Sequence, residues 1–369
     1  MVKLKKRSIK KIFPLGKIFL LLFIVLIAAG CRSGSSSTSK NTGDIRVGSD
    51  GIVVSFVPNN PPPVINVNGK EPINVLLQLT NKGAFPPDGN RVGELQMAVY
   101  LSGFDINIMY PTKDLIAPRA LEGKSSINPI GGTDIASFEG EIDGNNLFAD
   151  KYDVTLLATI CYDYETLAAS QVCIDPEPYS TINQKKVCQV GGLTLTNQGA
   201  PIAITKIDEE TLSTKTRFRI AIKNVGGGDV LGTSTDTGRC NPWSDSSLGN
   251  VDRIGRNDID KVYVESVMAG NQPLTCGPFI NGPIQEIKGE ARLVNGEGFF
   301  ICELERGKYA NQKTAYTTPL SIRLYYAYRN TATTKLLIKN EKVPGTGGSN
   351  RPYDGQNSNN DYPADYQRT

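Results

Sequence analysis

The reading of the fold turns on Val154-Thr-Leu-Leu-Ala-Thr-Ile-Cys-Tyr-Asp-Tyr164, which recurs as Thr318-Pro-Leu-Ser-Ile-Arg-Leu-Tyr-Tyr-Ala-Tyr328 at a constant offset of 164 residues. In the first copy Val154, Leu156, Ala158, Ile160, Tyr162 and Tyr164 share one face; in the second Leu320, Ile322, Leu324, Tyr326 and Tyr328 do. A period of two marks half-buried strands. The same offset carries Val172 and Ile174 onto Leu336 and Ile338, which reads as the next strand of a hairpin in each copy. Upstream, Val75-Leu-Leu-Gln-Leu-Thr-Asn-Lys-Gly83 matches Phe218-Arg-Ile-Ala-Ile-Lys-Asn-Val-Gly226 at an offset of 143. Each of these strands stops at Asn-x-Gly, residue types that tolerate the positive φ of a tight turn. Opening strands at 52–57 and 202–207 head the two copies, and helical periodicity is not found beyond residue 30.

The offset of 164 also carries Tyr152 onto Tyr316, each just before its strand. This placement resembles the tyrosine corner of Greek-key sandwiches, in which the ring packs inside and the hydroxyl caps upstream backbone. The strand ending in Asn-x-Gly resembles CARDB-type and related immunoglobulin-like adhesion modules of prokaryotic surface proteins. The resemblance implies an all-β fold of two tandem immunoglobulin-like sandwiches, 48–182 and 189–343, joined by a polar stretch around Gln184. Pro58-Asn-Asn-Pro-Pro-Pro63 reads as a stiff connection after the first strand. The tail 344–369 has no apolar period and reads as disordered.

Residues 1–30 hold seven basic side chains and no acid, followed from residue 18 by thirteen apolar or small residues and then Cys31. Such a run is a secretory leader and falls short of the roughly 20 residues that span a bilayer. Ala29-Gly30-Cys31 resembles the box of a prokaryotic lipoprotein signal, which implies cleavage before Cys31 and a diacyl anchor on its thiol. The anchor implies a location on the cell membrane, facing outside the cytoplasm. Residues 31–47, rich in Ser, Gly and Thr, read as a flexible tether.

Removing the leader turns the formal charge of +3 into −4, so no basic surface is left that would favour nucleic acid. Histidine is absent, which excludes the Ser-His-Asp and Cys-His nucleophile systems and the usual zinc sites. No phosphate-cradling or dinucleotide-binding loop is present, and no metal or cofactor is expected. Six cysteines remain besides Cys31, and an even count in an exported chain reads as disulfides. Cys161 and Cys173 are both outward on what reads as one hairpin, and their counterparts, Tyr325 and Leu337, lack sulfur together; a Cys161–Cys173 bond is expected. Cys188, Cys240, Cys276 and Cys302 would then pair within the second copy, in a connectivity left open.

The copies differ at one place: residues 95–103 match 262–270 at an offset of 167, so the second copy carries about 24 extra residues within 227–258. This insert holds Cys240, the only tryptophan, Trp243, and the charged residues Arg239, Asp245, Asp252 and Arg256. A long loop on a rigid scaffold is a candidate binding element, expected at one end of the second sandwich. Trp243 would either stack on a ligand or plug the loop onto the sandwich with Cys240 as its staple. The pairs Glu209–Glu210 and Asp258–Asp260 read as solvated turn acids rather than glycosidase carboxylates facing across a cleft. The expectation is a non-catalytic, membrane-anchored surface protein of adhesive or structural kind, with other surface proteins or glycans as partners. The alternatives are a surface glycan hydrolase and an extracytoplasmic ligand-binding component.

Overall fold

The computed structural model describes residues 46–87, 95–113, 115–180, 186–232, 237–243, 254–283, 285–309, 312 and 314–342. All belong to one compact unit, Ile45–Thr369. The leader, Cys31, most of the tether, the joint around Gln184 and the tail lie outside the described residues. Strands of the first copy are β1 Ile52–Phe56, β2 Val64–Val67, β3 Lys70–Asn81, β4 Met97–Ser102, β5 Met109–Pro111, β6 Leu115–Ile116, β7 Thr133–Asp143 and β8 Lys151–Ile174. Those of the second are β9 Gly192–Thr194, β10 Ile202–Thr211, β11 Lys215–Asn224, β12 Asp229–Leu231, β13 Lys261–Ala269, β14 Gln272–Pro273, β15 Thr275–Gly277, β16 Gly289–Arg292, β17 Glu297–Glu305 and β18 Tyr316–Asn340. The described chain is all-β, with helical turns limited to short 3-10 segments such as Gly144–Asn146 and Arg306–Lys308.

The described strands form three sheets. One has the order β1-β3-β7-β5, another β15-β17-β11-β10-β9. The largest runs β14-β13-β18-β8-β4-β6, with β2, β12 and β16 alongside, and both copies contribute to it.

The hairpins expected after Tyr164 and Tyr328 are not formed. β8 continues unbroken for 24 residues and β18 for 25, and the two pair antiparallel from Tyr316↔Ile174 to Lys339↔Lys151. The reason lies in Glu165-Thr-Leu-Ala-Ala-Ser170 and Asn330-Thr-Ala-Thr-Thr334, which hold no Gly or Pro to break the extended chain. Each strand satisfies the backbone groups of the other, so neither has cause to turn.

Asp163 pairs with Ala327, and these two positions are themselves separated by the repeat offset of 164. A local twofold axis therefore passes through this pair, perpendicular to the sheet. It places the apolar faces of both copies on the same side, and the even-numbered residues of β8 are buried from Val154 to Ile174 apart from Ser170. One continuous core results, running from Ile52 through Ile160 and Ile202 to Ile338.

At its centre the axis gathers Tyr162, Tyr164, Tyr326 and Tyr328, all fully buried. Their ring centroids form a closed circuit of 5.6, 5.9, 6.4 and 6.5 Å, within the range of favourable aromatic pairs. The Tyr164 hydroxyl donates to Asn81 Oδ1 at 3.1 Å and accepts from the Phe85 N–H at 3.3 Å. Its counterpart, Tyr328, donates to Asn224 Oδ1 at 2.8 Å and accepts from the Gly228 N–H at 2.8 Å. The Asn-x-Gly motifs are thus sockets for these hydroxyls. None of Asn81, Gly83, Asn224 and Gly226 has positive φ, contrary to the turn reading. Glycine is required for space, since a Cβ on Gly83 would fall 2.0 Å from the Tyr164 hydroxyl and one on Gly226 2.7 Å from that of Tyr328. At the corner suggested earlier, the half-buried Tyr152 accepts from the Asp105 N–H at 3.1 Å.

The disulfides also differ from expectation. Cys161 bonds Cys240, Cys173 bonds Cys188, and Cys276 bonds Cys302. A Cys161–Cys173 bond is ruled out by the unbroken strand: 12 residues of extended chain separate them by about 40 Å. Both do face outward, but each is met by a separate loop. Only Cys276–Cys302 lies wholly within the second copy, bridging directly opposed residues of β15 and β17.

One departure from symmetry bears on stability. The Pro-rich stretch leads from β1 into β2, which pairs parallel with the end of β18, and the Leu337 N–H donates to the Pro63 carbonyl. The equivalent N–H, that of Cys173, has no such strand beside it and donates instead to Glu209 Oε2 at 3.2 Å. Glu209 is a half-buried residue of β10 rather than a solvated turn acid, and its Oε1 has no hydrogen-bond partner among the described residues. Burial pushes this carboxyl up to about 7, against the weaker opposing pull of the Cys173 N–H. The folded chain therefore holds a proton that the unfolded chain releases near 4.5, so this group's contribution to stability falls as pH rises from about 4.5 to about 7. Glu209→Gln is expected to remove that decline. Urea unfolding of both proteins at pH 5 and pH 7.5 checks it: the variant should gain stability relative to wild type at the higher pH, and an equal difference at both pH values would refute the assignment.

Candidate functional site

The insert begins with β12, whose alternation sends Val230 into the main core and sets Asp229 and Leu231 on the outer face, Asp229 exposed and Leu231 buried under the insert. β12 pairs with Ala327–Arg329 of β18, setting Asp229 opposite Arg329. Arg329 Nη2 and Nε donate to Asp229 Oδ2 at 2.7 and 3.1 Å. The chain then crosses the outer face of the large sheet, where Cys240 bonds Cys161 of β8. Beneath it Ala98, Tyr100, Cys161, Leu231, Cys240 and Ala327 form a small second core, closed by Ile254 and Ile259.

This position differs from the one expected. The insert does not sit at one end of the second sandwich; it lies against β4 and β8 of the first copy. Trp243 fixes it there, donating from Nε1 to the Leu101 carbonyl at 2.8 Å with its ring 5.2 Å from that of Phe104. A half-buried indole with its N–H on a strand carbonyl is a packing anchor. Arg239 closes the insert on itself with a forked contact to Asp258, Nη2–Oδ2 at 2.9 Å and Nη1–Oδ1 at 3.3 Å. Burial raises the Asp258 carboxyl, but the Gly255 N–H and the Arg239 guanidinium outweigh this and hold it below its ordinary value. Arg256 is exposed on the insert, and Asp245 and Asp252 lie outside the described residues.

Between insert and sheet runs a groove of about 340 Å³. Its floor is Leu157 and Thr159 of β8 with Arg329 and Thr331 of β18, and its walls are Asp229 on one side and residues 239–242 with Ile254 on the other. Thr159 and Thr331 stand directly opposite each other, their hydroxyls 3.0 Å apart. The groove therefore offers guanidinium, hydroxyl, amide and carboxylate groups above a partly apolar floor. Sequence reasoning named Arg239 but missed Asp229, Thr159, Arg329 and Thr331. The polar outward positions of the repeated strands were the available signal; nothing in the chain told which stretch of them the insert would cover.

A second concavity of about 360 Å³ lies on the outer face of the five-stranded sheet, over Ile301 and Pro278. Its buried Glu303 is saturated, accepting from Lys215 at 2.7 Å, Gln285 at 2.6 Å and Arg217 at 3.1 Å. Among the described residues no group of three or more Cys, Asp and Glu is placed to hold a metal ion, and no helix is long and apolar enough to cross a membrane.

No protein-family model and no curated protein matches the chain. Among solved structures it is similar to one titled BspA_C_mut, at 8% identity, 78% of this chain, 96% of that chain and a TM-score of 0.16. It is also similar to tripeptidyl peptidase 2, at 9% identity over 81% of this chain and 41% of that one, with a TM-score of 0.18. Scores this low carry no argument about fold or function.

Proposed function

We propose that this is a lipid-anchored, extracytoplasmic binding protein, built from two immunoglobulin-like repeats, that holds an extended polar ligand of glycan type in the groove beneath its insert. The observation that supports it best is how the insert is held. A disulfide, an indole hydrogen bond and two Arg–Asp pairs fix the loop over the sheet face, more holds than the small apolar cluster beneath it would need for cover alone. Rigid walls reduce the ordering cost of binding, and hydroxyl and guanidinium groups suit a ligand rich in hydroxyls and carboxylates. Proton-transfer chemistry wants an acid poised near neutrality, whereas Asp258 beside the groove is held low by its neighbours.

Titration of the full chain with a panel of cell-envelope polysaccharides and acidic oligosaccharides tests the reading. Arg329→Ala is expected to weaken the best ligand at least tenfold while costing under about 1 kcal/mol of stability, because its ion pair with Asp229 is solvent-exposed. Unchanged affinity in Arg329→Ala removes the groove from consideration. For the anchor, Cys31→Ser is expected to release the protein from membranes or stop its processing, read by detergent partitioning; unchanged partitioning refutes it.

A further inference from the structure

Two of the most exposed apolar side chains share one loop: Ile127 is 94% and Ile130 72% accessible. Residues 125–132, Ser-Ser-Ile-Asn-Pro-Ile-Gly-Gly, carry no charge. The loop is not slack. The Ser125 N–H donates to the Asn128 carbonyl and the Asn128 N–H to Ser125 Oγ, both at 2.9 Å. Asn128 Nδ2 donates to Glu122 Oε1 at 2.6 Å, and the Gly132 N–H to the Glu122 carbonyl at 2.8 Å. Gly131 has φ of +85°, and a Cβ there would lie 1.9 Å from the Asn81 carbonyl, so its conformation admits only glycine. The isoleucines are displayed in fixed positions, with the ordering cost already met by folding.

The base of this loop is also where the chain enters the fold. The Gly199 N–H donates to the Gly48 carbonyl at 3.0 Å and the Lys124 N–H to the Gly83 carbonyl at 2.7 Å, while Ala84 N–H donates to the Gly199 carbonyl at 2.7 Å. A Cβ on Gly48 would lie 3.9 Å from Lys124 Nζ, so the start of the fold and the start of the loop are neighbours. Val47 beside them is 48% exposed, and Lys82 and Lys124 add positive charge. Phe148, 93% exposed, is at the other end: β7 runs 11 residues, about 35 Å, between the isoleucine loop and the turn that precedes Phe148.

We infer that the loop 125–132 inserts Ile127 and Ile130 into the outer surface of the lipid bilayer and so sets how the fold stands on the membrane. The inference rests on the lipid-anchored reading. The chain between Cys31 and Arg46 is rich in Ser, Gly and Thr, and linker statistics for 15 residues of that composition give a root-mean-square span of about 20 Å, which would keep the loop within reach of the surface. At such effective concentration a weak apolar contact is sufficient, and the neighbouring lysines favour anionic headgroups.

The experiment uses the full chain in vesicles of phosphatidylethanolamine and phosphatidylglycerol, with and without brominated acyl chains. Ile127→Trp is expected to show tryptophan emission, beyond the Trp243 background, that is quenched at least twofold by brominated lipid; Phe148→Trp is expected not to be quenched. Equal, weak quenching of both overturns the inference. The mass of the Cys31 peptide reads the anchor separately. An acylated chain with an unquenched loop leaves the anchor standing and refutes the contact; an unmodified Cys31 with a quenched loop does the reverse. A chain that does not sediment with the vesicles overturns the contact, and the Cys31 mass decides the anchor.

Discussion

Asn81→Ala is expected to lower the unfolding free energy by about 3 kcal/mol, because four buried polar groups lose a partner at once. Asn81 is fully buried; its Nδ2 donates to the carbonyls of Phe85 at 2.7 Å and Leu121 at 3.0 Å. Its Oδ1 accepts from the Gly83 N–H and the Tyr164 hydroxyl, both at 3.1 Å. The repeat supplies an internal control. Asn224 is only half-buried and its Nδ2 donates to one backbone carbonyl, that of Gly228, at 2.8 Å. Asn224→Ala should therefore cost less, about 2 kcal/mol. Denaturant titration of the two variants decides it: a loss below 1 kcal/mol in Asn81→Ala, or a larger one in Asn224→Ala, would contradict the role given to the sockets.

The second large effect is expected from removing the Cys161–Cys240 bond. It closes a loop of 79 residues, and by the chain-entropy argument its loss, through Cys161→Ala with Cys240→Ala, costs about 4.5 kcal/mol. The same argument gives about 3 kcal/mol for Cys173–Cys188, which closes only 15 residues. Loss of the bond also frees one of the holds on the insert. Trp243 should then move towards solvent, seen as a red shift of the single tryptophan's emission, and protease should cut within the insert. Stability within 1 kcal/mol of wild type and unshifted emission would show that the indole contact with β4 and the Arg–Asp pairs hold the insert without the disulfide.

The sockets illustrate a motif that was visible although its purpose was not. Asn-x-Gly stood out at the end of each of the two matched strands, and turn chemistry was the local explanation. The tyrosine that fills each socket lies over 80 residues further on, so only the folded chain joins them. The same holds for Glu209: a carboxylate in sequence looks solvated, and nothing local tells that it takes the place of a missing edge strand.

By itself, the chain determined that the fold is all-β, which residues of the repeated strands face inward, and that two related halves exist. Strand alternation and a constant offset are local or self-referential properties, legible without knowing any contact. Whether each repeat's strand turns or runs on depended on its partner, because 24 residues of extended backbone are stable only when another strand of that length pairs with them. Cysteine pairing and the path of the insert were decided by tertiary structure as well. An outward-facing Cys161 bonds whatever loop is laid over it, and the twofold axis through Asp163 and Ala327 decided which loop that was.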